Sequence, residues 1–113
     1  MNEEYIYHVI SQKDWEQIEN SEIYAPPSLM QEGFIHFSFA NQVSGVIDRY
    51  YSDKNNLLVL KINIKKIKSK LVVENLIGTG SFPHLYGELN LDSVVANYPI
   101  LRDEKNQNYW IEE

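Results

Sequence analysis

The sequence predicts an α+β domain built on antiparallel β-sheet. Strand-like segments outnumber helices, and the order strand, helix, strand, helix is followed by several strands rather than by repeating βαβ units. A chain of 113 residues has the length of one compact domain. We expect a single domain over residues 1–102 and a charged C-terminal tail over residues 103–113.

The N-terminal segment predicts a strand that runs into a short helix. Tyr5–Ile10 is rich in β-branched and aromatic residues, which favour strands. Ser11 is followed three residues later by Asp14, a capping-box pattern that begins a helix. The two prolines within residues 23–33 disfavour a longer helix, so we interpret that stretch as an ordered loop.

A second strand and a second helix follow. Phe34–Phe39 predicts the strand, and Asn41 is a candidate N-cap for the helix. Apolar residues in that helix recur at i, i+3, i+4, i+7 and i+8, the pattern of an amphipathic helix. They are Val43, Val46, Ile47, Tyr50 and Tyr51. The sequence therefore predicts two short helices, both in the N-terminal half.

The second half of the chain predicts further strands. Leu57–Ile64 alternates, with Leu58, Leu60, Ile62 and Ile64 on one face and Lys61 and Asn63 on the other, as in half-buried strands. Leu71–Val73 is a short strand candidate, and Ser93–Tyr98 is a strand that ends before a proline. Phe82–Gly87 is interpreted as a kinked aromatic segment, because it contains a proline and ends in glycine.

Composition excludes several functional classes. A formal net charge of −6 disfavours a nucleic-acid binder, because such proteins release counterions through positive charge. The absence of cysteine excludes disulfides, thiol nucleophiles and thiolate zinc sites. No apolar run is long enough to span a membrane, and the acidic N-terminus lacks the apolar region of a signal peptide. We expect a cytoplasmic protein.

Three histidines are the main candidates for chemistry. His8 and His36 lie in the middle of predicted strands, and His84 lies in the aromatic segment. Imidazole transfers protons and forms hydrogen bonds near neutral pH, and strands would hold it rigidly. Alternatively, each histidine is a half-buried residue with a backbone partner. A zinc site is less favoured, because no two histidines have helical i, i+4 spacing and no acidic ligand is obvious, so no metal is expected.

Three segments resemble the bacterial "domain of unknown function 952" family. They are Ile6–Ile10 with Trp15 shortly after, Pro26–Leu29 running into Gly33–Ser38, and Phe82–Gly87. The resemblance extends from about Tyr5 to Pro99 and so covers most of the chain.

The resemblance implies a split antiparallel sheet similar to that of ADP-ribosyltransferases, which cradles NAD. The order of the motifs is also similar to that of NAD-using RNA 2'-phosphotransferases. By this similarity His8 would engage the NAD ribose, while His36 and Ser38 would border the nicotinamide or the phosphates. His84 and Tyr86 would close the pocket.

Two features bear on the comparison with those enzymes. A phosphotransferase needs arginines for phosphate, and only Arg49 and Arg102 occur, both outside the three segments. ADP-ribosyltransferases carry a catalytic glutamate on a late strand, for which Glu88 is the nearest candidate. The candidate catalytic residues are thus His8, His36 and Glu88, and the candidate cofactor contacts are His8, His36, Ser38, His84 and Tyr86.

The expected function is binding of NAD or an ADP-ribosyl ligand, with ADP-ribose transfer as the activity this would support. One alternative is a non-catalytic domain of the same fold that binds a small ligand or a protein. Another is a metal-dependent hydrolase that uses the three histidines. The expected partner is a small nucleotide-like molecule, rather than a nucleic acid or a membrane.

Overall fold

The structure, a computed structural model, describes residues 4–76, 78 and 80–112. Its helices are α1 (Gln12–Ile18), α2 (Pro27–Glu32) and α3 (Val43–Tyr50). Its strands are β1 (Tyr5–Ser11), β2 (Ile23–Tyr24), β3 (Ile35–His36), β4 (Leu57–Asn63), β5 (Lys70–Glu74), β6 (Phe82–Tyr86), β7 (Leu89–Asn90), β8 (Val94–Pro99), β9 (Leu101–Arg102) and β10 (Asn108–Tyr109). All the strand pairs are antiparallel, so the predicted α+β class is confirmed.

The first sheet has the order β1-β4-β8, with β4 in the centre. Successive side chains of a strand point to opposite faces, and both faces of β4 are covered. Leu58 and Leu60 pack into the larger apolar cluster, whereas Leu57 and Val59 pack into a second cluster beneath α3. This double burial explains why the N-terminal half of β4 is continuously apolar.

The second sheet has the order β3-β6-β5, and its central strand corrects one interpretation of the sequence. Phe82–Gly87 is not a kinked segment, because Phe82–Tyr86 forms the regular strand β6 between two partners. Pro83 lacks an N–H, but it lies opposite Phe37, just past the end of β3, and its carbonyl accepts the backbone N–H of Phe37 at 3.0 Å.

The predicted strand Phe34–Phe39 is shorter than expected and connects the two sheets. Only Ile35–His36 pairs with β6. Two residues later the chain pairs with β1 instead, because Ser38 and Tyr7 exchange both backbone hydrogen bonds at 2.7 Å. This crossing holds the edge of one sheet against the edge of the other.

The helices confirm the prediction in part. Ser11 caps α1 by accepting the backbone N–H of Asp14 at 3.1 Å, as predicted. Residues 23–33 do not form only a loop, since they contain β2 and α2. Proline at the first position of α2 and Gly33 (φ 89°) after its end are both compatible with a helix.

The start of α3 also differs from the prediction. Asn41 is not the N-cap, because a 3₁₀ turn over Ala40–Gln42 precedes the helix and places Gln42 at that position. The side chain of Gln42 accepts the backbone N–H of Phe39 at 2.9 Å. No helix in the described ranges is long and apolar enough to cross a membrane.

The C-terminal residues up to 112 pack onto the first sheet. β10 pairs with β9, and the ring of Trp110 lies 5.2 Å from that of Tyr7 and 5.8 Å from that of Tyr98. The hydroxyl of Tyr7 donates to the carboxylate of Glu112 at 3.0 Å, and Lys61 forms an ion pair with the same carboxylate. These contacts attach the predicted tail to β1 and β4.

A glycine substitution tests the turn between β6 and β7. Gly87 has φ 149°, and an added Cβ would lie 2.5 Å from Oγ and 2.8 Å from Cβ of Ser69. We expect Gly87→Ala to lower the free energy of unfolding by about 2 kcal/mol in urea titrations. Gly45→Ala is the control, because it lies in α3 with ordinary spacing and should be neutral or stabilising. Equal stability of the two variants would contradict this account.

Candidate functional site

One cleft of about 1060 Å³ brings the three histidines together. It is bordered by β1, the crossing segment after β3, the strand β6 and the exposed face of α3. Its aromatic lining residues are Tyr7, Tyr24, Phe34, Phe37, Tyr50, Tyr51 and Phe82. In the described part of the chain, no three His, Cys, Asp or Glu side chains are grouped so that they could hold a metal ion.

His8 is hydrogen-bonded through both ring nitrogens. Nδ1 lies 2.7 Å from the backbone carbonyl oxygen of His36, and Nε2 lies 2.9 Å from the hydroxyl of Tyr24. A carbonyl oxygen only accepts, so Nδ1 carries the proton and donates it. In the neutral ring Nε2 then accepts from Tyr24, whose hydroxyl oxygen retains lone pairs for a ligand.

Burial keeps His8 neutral. Loss of solvation lowers the pKa of His8 to about 4, partly opposed by its hydrogen bond to the carbonyl of His36. Burial also raises the pKa of Tyr24, so its hydroxyl keeps its proton. The Tyr24–His8 pair is therefore a fixed, uncharged wall of the cleft at physiological pH.

His36 and His84 face each other across β3 and β6. They are directly paired in the register, and their ring centroids are 5.4 Å apart in an edge-to-face arrangement. The side chain of His36 is 52% exposed, and its Nε2 lies 2.8 Å from the carboxylate of Glu32. His36 is thus the solvent-facing histidine, held by α2 through Glu32.

His84 is the buried histidine. Only 5% of the residue is exposed, and its ring stacks on Phe34 at 4.2 Å with an interplanar angle of 22°. Its Nδ1 lies 2.8 Å from a carboxylate oxygen of Glu74, which also accepts the hydroxyl of Tyr86. Hydrogen bonds from Tyr86 and then His84 lower the pKa of Glu74, so the carboxylate is ionised at neutral pH.

Ser38 lines the cleft beside these groups. The residue is 5% exposed, and its backbone is fixed by the bridge to Tyr7. No residue within 4–76, 78 and 80–112 forms a hydrogen bond with its hydroxyl. A polar group that is this buried and lines a cleft is suited to bind a ligand.

Two cations at the rim were missed by the sequence analysis as site residues. Arg49 and Lys54 line the cleft, and neither forms an ion pair with another described residue. Arg49 follows Val46 by one helical turn on the same face of α3, and Val46 also lines the cleft. That spacing was visible in the sequence, but the side of the helix facing the cleft was not.

The carboxylates at the histidines are Glu32, which contacts His36, and Glu74, which contacts His84, rather than the predicted Glu88. Glu88 is exposed and lies outside the cleft lining, so the structure does not bring this candidate catalytic residue to the other candidates. Its backbone carbonyl instead accepts the hydroxyl of Ser69 at 2.7 Å. Glu74 reaches His84 because both side chains lie on the same face of β5 and β6, a register that the sequence does not reveal.

The protonation of His8 is directly testable. In ¹⁵N-detected NMR titrations of the wild-type protein, His8 should show the Nδ1–H tautomer and a midpoint near 4 rather than 6.5. As the pH falls from 6.5 to 4, His8 takes up a proton in the unfolded chain but stays neutral in the folded protein. Its contribution should therefore lower the free energy of unfolding across this pH window, with no such effect above pH 6.5. A midpoint near 6.5, or an Nε2–H tautomer, would contradict the assignment.

Comparisons with known proteins identify the family. Residues 9–97 match the family model described as "Protein of unknown function (DUF952)". Two crystal structures of protein CC0527 from Caulobacter crescentus, one of them a double mutant, superpose with a TM-score of 0.80 at 23% identity over 93% of both chains. Its solution NMR structure gives 0.77 at 23% identity, over 90% of this chain and 89% of that chain. At this identity the likeness shows a shared fold.

No curated protein matches the sequence significantly. The family model covers most of the chain, including the strands β3 and β6 and the helix α3 at the cleft. The chain therefore belongs to the DUF952 family.

Proposed function

We propose that the cleft binds NAD or a related ADP-ribosyl ligand. The observation that carries the proposal is the convergence of three histidines, the Ser38 hydroxyl and the cations Arg49 and Lys54 in one aromatic cleft. Within the described residues, the Ser38 hydroxyl has no hydrogen-bond partner and neither cation has an ion-pair partner. A cleft of about 1060 Å³ lies just above the ~300–1,000 Å³ range of ligand pockets, which favours an extended ligand.

The charged and aromatic residues of the cleft match the diphosphate and the two ring systems of such a ligand. Arg49 and Lys54 line the cleft, where a diphosphate would find positive charge that no other residue of the described ranges pairs with. The aromatic side chains offer flat surfaces for adenine and nicotinamide rings.

Ribose hydroxyls both donate and accept, and the cleft provides partners of each kind. The hydroxyl oxygen of Tyr24 accepts, since its proton is already donated to His8. The hydroxyl of Ser38 can do either. The contact predicted between His8 and the ribose is thus better assigned to Tyr24, with His8 as the residue that orients it.

Binding and turnover are separate steps of this proposal. Transfer of ADP-ribose requires cleavage of the bond between ribose and nicotinamide, whereas the non-catalytic alternative requires only binding. Release of nicotinamide from NAD, followed by chromatography, distinguishes the two.

Ligand binding should raise the melting temperature of the protein. At ten times its Kd a ligand stabilises the folded state by about 1.4 kcal/mol, which corresponds to about 5 °C for a domain of this size. We expect this rise in melting temperature with ADP-ribose and with NAD. The variants His36→Ala and His8→Ala should lose it, provided that circular dichroism shows them to be folded. No shift with either ligand would contradict the proposal.

A matched pair of lysine variants tests the position of the phosphates. Lys54→Gln removes a cation at the cleft, whereas Lys65→Gln removes one from an exposed site outside it. We expect about a tenfold weaker affinity for ADP-ribose in the first variant and wild-type affinity in the second, measured by calorimetry at fixed salt. Equal weakening in both would indicate non-specific attraction by net charge.

A further inference from the structure

Glu74, His84 and Tyr86 form a hydrogen-bonded group at the cleft, in which Glu74 and His84 line the cleft and Tyr86, predicted to close it, lies outside the lining. We propose that His84 is the proton acceptor of this cleft and that Glu74 is its positioning residue. The inference rests on the proposed function, since the proton comes from the hydroxyl that attacks the ribose of bound NAD. Neither Glu74 nor this role of His84 was predicted from the sequence.

The strand register brings the two side chains together. Glu74 pairs with Phe82 and Val72 pairs with His84, so Glu74 and His84 are diagonal neighbours on one face of the sheet. Such neighbours are within reach of long side chains, and the carboxylate lies 2.8 Å from Nδ1 of His84. Tyr86 reaches the same carboxylate oxygen.

The direction of the hydrogen bonds fixes the tautomer of His84. The ionised carboxylate of Glu74 only accepts, so Nδ1 of His84 carries a proton and donates it. In the neutral ring Nε2 then has a free lone pair. No residue in the described ranges is hydrogen-bonded to that nitrogen, and His84 lines the cleft. A carboxylate on one nitrogen and a free lone pair on the other is the arrangement of a general base.

The ring is held rigidly in this orientation. Phe34 stacks on it at 4.2 Å, and His36 approaches its edge at 5.4 Å. A structural ion pair between β5 and β6 would need the Glu74 contact, but it would not need a free Nε2 at the cleft. The free nitrogen is therefore what distinguishes a chemical role from a structural one.

The proposed step balances as hydrolysis or as transfer. The oxygen of a water or acceptor hydroxyl forms a bond to the ribose carbon that carries nicotinamide, while the bond from that carbon to nicotinamide breaks. The bonding electron pair leaves on the nicotinamide nitrogen, and the proton of the attacking oxygen passes to Nε2 of His84. Glu74 stabilises the imidazolium that results.

The charged groups around His84 come from three strands. Glu74 faces it from β5 with an ionised carboxylate, and His36 faces it from β3. Tyr86 on β6 and Lys70 on β5 act through the carboxylate of Glu74. Removing the charge of Glu74 should thus change the pH–rate profile, which a purely structural role would not do.

The test compares nicotinamide release from NAD by the wild-type protein and by Glu74→Gln, which keeps an acceptor oxygen for Nδ1 but loses the charge. We expect kcat to fall by about 100-fold or more. KM should stay within about threefold of wild type, and the rise in melting temperature with ADP-ribose should stay within a few degrees of the wild-type rise. Glu104→Gln, an exposed glutamate outside the cleft, is the matched control and should behave as wild type.

His84→Ala adds a second readout. Free imidazole in the buffer should restore part of its lost turnover, because a diffusible base replaces the missing proton acceptor. If this variant does not fold, Glu74→Gln alone decides the test.

The outcomes separate the two proposals. A melting shift with ADP-ribose but no release of nicotinamide by wild type would overturn the proton-acceptor role and leave ligand binding intact. Neither a shift nor release would overturn both. Release that is unchanged in Glu74→Gln, or that is lost in Glu88→Gln instead, would overturn the assignment of Glu74.

Discussion

The segment Ile35–Ser38 is hydrogen-bonded to both sheets, and the geometry of the cleft depends on this double attachment. Its first residues pair with β6, whereas Ser38 exchanges two backbone hydrogen bonds with Tyr7 of β1. The ring of His8 adds a third link, through the carbonyl of His36. Because these bonds fix β1 against β6, residues far apart in the sequence share one cleft.

The three histidines lie in different environments around the same segment. His8 lies on the β1 side and is neutral, with both nitrogens occupied. His36 lies at the crossing and is open to solvent, whereas His84 lies on the β6 side and is paired with a carboxylate. Identical side chains in different surroundings take different roles, as acid–base sites generally require. The proposed division into an orienting, a ligand-facing and a proton-accepting histidine follows from these surroundings.

The sequence predicted those features of the fold that depend on interactions between neighbouring residues. The cap at Ser11, the apolar face of α3 and the strand β4 depend on neighbouring residues, and they were found. The short helix α2 was not predicted, because its two neighbouring prolines were interpreted as excluding a helix and Gly33 was not interpreted as the residue that ends one.

The site was predictable only in part, since it depends on strand pairing. Short motifs indicated the histidines and Ser38, but the partner of each histidine is set by register. Glu74 lies in a segment with no motif of its own and reaches His84 only because β5 pairs with β6 in one alignment. Glu88 was favoured because it follows an aromatic motif, and nothing in the linear sequence shows that it lies outside the cleft.

Chemical-shift mapping of the ¹⁵N-labelled protein with ADP-ribose tests the central claim most directly, namely that this histidine cleft is a ligand site. We predict that the largest changes, saturating with ligand, occur at Tyr24, His36, Ser38 and His84, which line one cleft from three segments of the chain. No saturating changes, or changes confined to the exposed lysines after β4, would contradict the account.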